Sequence, residues 1–135
     1  MGKRTTSRRL AMQALYQIDL SGGDPENALL SVSSEEKFPP ETIAFAKSLL
    51  DSVISSKNRI DGEISKNLDA WQIQRLSIVD KNILRVAVCE MISDDKTPFS
   101  AVINEAVELA KKFGGMESKK FINGVLSSVA KNLEL

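Results

Sequence analysis

Four cations and one phenol near the start of the chain are the side chains best suited to chemistry. Lys3, Arg4, Arg8 and Arg9 all precede the first carboxylate, Asp19, and Tyr16 follows the last arginine at helical spacing. Guanidinium and ammonium groups hold phosphate oxygens, and a flat phenol ring accepts an unpaired base by stacking. At about 100° per residue, Arg9, Gln13 and Tyr16 share one side of a helix, with Arg8 and Met12 at its border. Leu10, Ala11, Ala14, Leu15 and Ile18 make an apolar stripe on the other side. The spacing predicts a helix that buries one face and offers positive charge beside an aromatic ring on the other. That combination suits a flexible single strand of nucleic acid.

Other chemistries lack their residues. The chain has no histidine and one cysteine, Cys89, inside an apolar run. A His-dependent triad, a Cys/His pair and a Cys/His zinc site are all excluded. No GxxxxGK[ST] or GxGxxG phosphate loop occurs; the adjacent glycines, Gly22-Gly23 and Gly114-Gly115, follow helical patterns and read as helix stops. Cys89 reads as a small buried hydrophobe. The carboxylates fall along helical positions expected to face solvent, so no paired-carboxylate acid/base site is expected. The expectation is a binding protein with no catalytic residues, no cofactor and no metal.

The elements that must position the basic face follow from composition and periodicity. With 135 residues, 42% apolar and 27% charged, the chain is expected to fold as one domain, residues 1–135. Lone Cys89 rules out an internal disulfide framework, and no apolar leader or membrane span is present, which gives a cytoplasmic address. Formal net charge is zero only as a sum. Residues 1–18 carry four positive and no negative charges, whereas residues 19–69 carry ten negative against five positive. A local potential attracts a charged partner whatever the total.

Helical spacing runs through the whole sequence, and no segment reads better as a strand. Asp24-Pro25 caps a short helix through Ala28, Leu29 and Leu30. Pro39-Pro40 opens what reads as the longest helix, with apolar positions from Ile43 to Leu68 and a weak point at Gly62. Trp71, Ile73 and Leu76 fit a short helix. Ser77 and Asp80 have capping-box spacing for the next, apolar nearly all round from Ile78 to Ile92 and so expected at the centre of the fold. Thr97-Pro98 caps a helix that ends at Gly114-Gly115, and a last helix runs from Glu117 to Leu133. Asn123-Gly124 is also a hairpin signal, but the helical period continues across it, which predicts a helix with a close contact at Gly124. The fold class expected is all-α, with about seven helices.

Four stretches carry a family resemblance: "RRLAMQALYQIDLS", "RLSIVDKNILRVAVCEM", "AVINEAVELAKKFG" and "ESKKFINGVL". In this order and at these separations the sequence resembles the NusB family of transcription antitermination factors over nearly its whole length. The resemblance implies two packed helical subdomains forming one domain. It also implies binding to a short single-stranded RNA element, boxA, together with NusE, a small ribosomal subunit protein. The complex so formed holds RNA polymerase in a termination-resistant state on ribosomal RNA operons. By resemblance, Lys3, Arg4, Arg8, Arg9 and Tyr16 are RNA contacts, while Glu117, Lys119, Lys120 and Phe121 match a second region near the RNA. Asp80 and Lys81 are the positions named for the protein partner. The chain departs from the family's richest arginine runs at Thr5 and Thr6, which points to lower RNA affinity.

On the residues alone, alternatives stay open. A basic terminus is often just a solvated, mobile end, and Tyr16 could pack beneath a loop. Lys119 and Lys120 read nearly as well as a solvated helix start. The rival functions are a helical protein adaptor or homodimer without RNA binding, and a domain like that attached to some ribosomal RNA cytosine methyltransferases. Against the last, the chain is used up by its helices. If four cations each neutralise one phosphate, the logarithmic salt slope is about −3.

Overall fold

The structure, a computed structural model, describes residues 2–69, 72–93 and 97–134, the side chain of Lys3 lying outside it. Seven α-helices account for most of the described residues: α1 Gly2–Ser21, α2 Pro25–Ser33, α3 Pro40–Ser55, α4 Lys57–Lys66, α5 Ile78–Ile92, α6 Phe99–Phe113 and α7 Met116–Glu134. A 3-10 turn, Ile73–Arg75, precedes α5. The expected all-α class with about seven helices is met among the described residues. Helices α1, α2 and α3 pack on one another, α4, α6 and α7 gather around α5, and contacts of α1 and α3 with α5 join the groups.

Local chemistry explains most boundaries. Gly22 and Gly23 end α1 at φ 79° and 97°, in the left-handed region where a Cβ is strained. Asp24 caps α2 by accepting the Asn27 N–H at 2.9 Å, and Ser77 caps α5 by accepting the Asp80 N–H at 3.0 Å. Helix α5 is buried at every position from Asn82 to Met91, so it forms the axis of the core as its all-round apolar pattern predicts. Truncating one of its large side chains, such as Leu84, costs about 2–5 kcal/mol.

Four expectations about the elements are corrected. The long helix through Leu68 is two: Ser56 adopts φ −112° and ψ 18°, and α4 turns away to reach α5 and α7. Backbone bonding continues across the break, Ser56 N–H to Ser52 C=O and Ile60 N–H to Ser56 C=O, so the apolar rhythm hides the bend. Thr97 does not cap α6; Pro98 occupies that position without a side-chain hydrogen bond. Helix α7 runs straight through Asn123-Gly124, but a Cβ on Gly124 would meet nothing within 4 Å, so no close helix contact exists there. The short helix expected at Trp71–Leu76 is only the 3-10 turn, and Trp71 lies outside the described residues.

The carboxylates are not all solvated either. Glu90 on α5 is 4% exposed. Asp61 on α4 accepts two hydrogen bonds from Arg85, at 2.9 and 3.0 Å, while Asp19 at the end of α1 accepts one from Arg85 and one from Asn82, both at 3.0 Å. This buried guanidinium ties α1, α4 and α5 together.

Candidate nucleic-acid interface

Helix α1 presents two very different faces. Its inner face buries Leu10, Ala11, Ala14 and Leu15, and the buried Ser7 hydroxyl donates to the Thr42 carbonyl of α3 at 2.7 Å. On the outer face Arg9 Nη1 donates to Gln13 Oε1 at 3.1 Å, one turn along. The Arg9 guanidinium also lies 5.8 Å from the ring centre of Phe38, in the segment between α2 and α3. Near the helix start the exposed Arg4 places its guanidinium 4.4 Å from the ring centre of Phe45 on α3. Aromatic faces hold cations weakly.

Tyr16, one turn beyond Gln13, is 36% exposed, so it is not sealed beneath a loop. It stands at a cleft of about 500 Å³ whose walls include Gln13, Leu20, Val32 of α2, Val79 of α5 and Phe113 at the end of α6. Leu20 and Phe113 are themselves 62% and 37% exposed. A phenol, a phenyl ring and aliphatic walls open to solvent make a surface for flat ligands, with Gln13 in its wall and Arg9 hydrogen-bonded to Gln13. A second cleft, about 560 Å³, runs beside Arg9 between α1 and α6, lined by Thr5, Thr6, Glu105, Lys111 and Lys112.

Arg8 is the correction to the basic face. It is 7% exposed and points inward. Its Nε and Nη2 donate to Glu90 at 2.7 and 2.9 Å, and its Nη1 donates to Glu105 on α6 at 3.3 Å. Burial works against the charged guanidinium, but the hydrogen bonds and charges of Glu90 and Glu105 prevail and raise its pKa. Three of its five N–H donors are engaged, and its burial keeps the guanidinium from a phosphate in solution. Arg8 therefore locks α1 to α5 and α6 and orients the face that carries Arg9 and Tyr16.

The remaining expected positions scatter. Glu117, Lys119 and Lys120 are exposed on the first turns of α7, and Phe121 is half-buried. Lys120 and Phe121 line a different cleft, beside Asn67, Leu68 and Asp69, which shares no wall residue with that of Tyr16. Asp80 and Lys81 are half-buried at the start of α5. The Asp80 carboxylate accepts a short hydrogen bond from the Ser118 hydroxyl, so it is engaged in holding α7. Cys89 is buried; burial first, and the charge of Glu90 second, push its thiol up to about 11 and keep it protonated. Sequence patterning missed Phe38 and Phe113, whose aromatic rings reach the α1 face from other elements. The "KKFG" run at 111–114 carried a signal, cations beside an aromatic at a helix end.

A family model described as the NusB family matches residues 5–131. The chain belongs to the NusB family. Among relatives of this NusB-family chain, the transcription antitermination protein NusB of Bacillus mycoides (strain KBAB4) is 47% identical over 132 residues, covering 97% of this chain and 99% of its own length. A chain in the crystal structure of a plectonemic RNA supercoil matches with a TM-score of 0.93 at 33% identity, over 99% of this chain and 98% of that one. A chain in the crystal structure of antitermination factors NusB and NusE in complex with dsRNA matches with a TM-score of 0.90 at 33% identity, over 98% of each chain. Among the described residues no helix is long and apolar enough to cross a membrane.

Proposed function

We propose that this chain is a cytoplasmic, non-catalytic transcription antitermination factor. It binds boxA-type single-stranded RNA together with NusE and joins the RNA polymerase complex that transcribes ribosomal RNA operons processively. The observation that carries the RNA reading is the outer face of α1, where Arg9 and Gln13 stand two turns and one turn, respectively, from an accessible Tyr16. Lys3, Arg4 and Arg9 serve as the phosphate contacts, and Tyr16 as the stacking ring. The bases of a duplex are already stacked on one another, so an open phenol in an apolar cleft favours an unpaired segment. The family and the NusB–NusE complex with dsRNA among its structural relatives support RNA and NusE as partners.

Because Arg8 is committed to Glu90, no more than three of the four cations are phosphate contacts, and the logarithmic salt slope is no steeper than about −2, at roughly 0.7 per contact. Stacking on Tyr16 adds about 1–3 kcal/mol. That is a modest grip for the isolated chain, so NusE bound alongside extends the RNA track. Lys81 remains a NusE contact in this reading, whereas Asp80 supports it indirectly through α7. Glu117, Lys119, Lys120 and Phe121 are assigned to the far end of that track. Anisotropy titration of labelled boxA-type RNA, with and without NusE, tests the scheme. Weak binding alone and tighter binding with NusE are expected; equal affinity in both arms contradicts it.

A further inference from the structure

We propose that the groove between α2 and α3 docks a basic amphipathic segment of a partner protein. The groove has a volume of about 750 Å³. Leu29 and Leu50 form its buried floor and Ile43 a half-buried wall, while Leu30 projects into solvent at 66% exposure. An aliphatic side chain this open beside Leu29, Ile43 and Leu50 offers an apolar contact to an incoming segment.

The rim determines the occupant's charge. Asp24, Glu26 and Asp51 stand along the groove against one cation, Lys47. Lys47 Nζ donates to Asp51 at 2.9 Å, and the hydrogen bond and charge of Asp51, with a smaller contribution from Glu26, raise its pKa. The one ammonium is thus shared among carboxylates that still outnumber it. Such a rim repels a phosphate backbone and attracts lysine and arginine side chains. An apolar floor with an acidic rim is complementary to a helix carrying leucine-type anchors flanked by cations.

Position strengthens the case. On α2, Leu30 and Val32 lie about 200° apart at the helical period. Val32 lines the Tyr16 cleft, whereas Leu30 lines this groove. The short helix is therefore a wall shared by two surfaces of opposite character, so RNA on one side and a protein segment on the other do not compete for space.

The test titrates a short synthetic peptide of leucine and lysine at helical spacing into the isotopically labelled full chain and maps amide shifts by NMR. A matched peptide with glutamate in place of lysine is the control. Shifts clustered at residues 24–33 and 43–51, binding weakened at least tenfold by Leu30→Asp and again by Glu26→Lys, and no binding of the control peptide are expected. Both substitutions are at exposed positions, and far-ultraviolet circular dichroism verifies that each variant is folded. Absence of binding, shifts centred on Tyr16, or affinity unchanged in both variants overturns the proposal. So does either a concentration-dependent dimer dissolved by Leu30→Asp, which assigns the groove to a second copy, or the same groove shifts on adding boxA-type RNA.

Discussion

Arg8 and Arg9 are neighbours in the chain and opposites in the fold. One helical step of about 100° takes the first into a buried ion pair with Glu90 and leaves the second on the surface with Gln13 and Phe38. The same side chain does structural work at one position and is available for a ligand at the next. A count of cations along a segment therefore overstates its binding charge, because burial, not residue type, decides which guanidinium reaches solvent. The contrast also explains how α1 can hold an aromatic-cationic face steady, since the inner arginine supplies rigidity to the outer one.

The contrast breaks most visibly at Arg8. Arg8→Ala leaves Glu90 buried without its partner, which costs about 3–5 kcal/mol and lowers the thermal midpoint by roughly 10 °C or more. A melt followed by circular dichroism checks this, and a wild-type midpoint would place the Arg8 pair at the surface instead. Tyr16→Ala sharpens the other side. It is expected to weaken RNA binding by about 1–3 kcal/mol, roughly 5- to 150-fold, with a smaller loss of thermal midpoint than Arg8→Ala because the ring is 36% exposed. Arg9→Gln has the smallest effect. It removes one phosphate contact, so the magnitude of the logarithmic salt slope falls by about 0.7 while stability changes by less than about 0.5 kcal/mol. A slope that does not move removes Arg9 from the interface.

Much of the fold was legible because helices announce themselves locally. Gly22-Gly23 stops α1, Asp24 and Ser77 cap α2 and α5, and the all-round apolar run from Ile78 to Ile92 marks the central helix. The bend at Ser56 was hidden because its backbone hydrogen bonds and the apolar period both continue through it. The site was legible in part. Arg9, Gln13 and Tyr16 lie on one helix, where spacing alone sets their neighbourhood. The fate of Arg8 depends on Glu90, 82 positions away, and the company of Tyr16 depends on Val32, Val79 and Phe113 from three other helices. Long-range packing brings those groups together, and no local period encodes it.

The outer face of α1 and the cleft beside Tyr16 are proposed here as the RNA surface. A photo-crosslinking map with thiouridine-substituted boxA-type RNA, read out by mass spectrometry, tests it most directly. Crosslinks concentrated at Tyr16 and its cleft neighbour Phe113, and lost on adding excess unlabelled RNA, are the result expected. Crosslinks that bypass Tyr16 and fall instead on the α2–α3 groove or the far end of α7 contradict it.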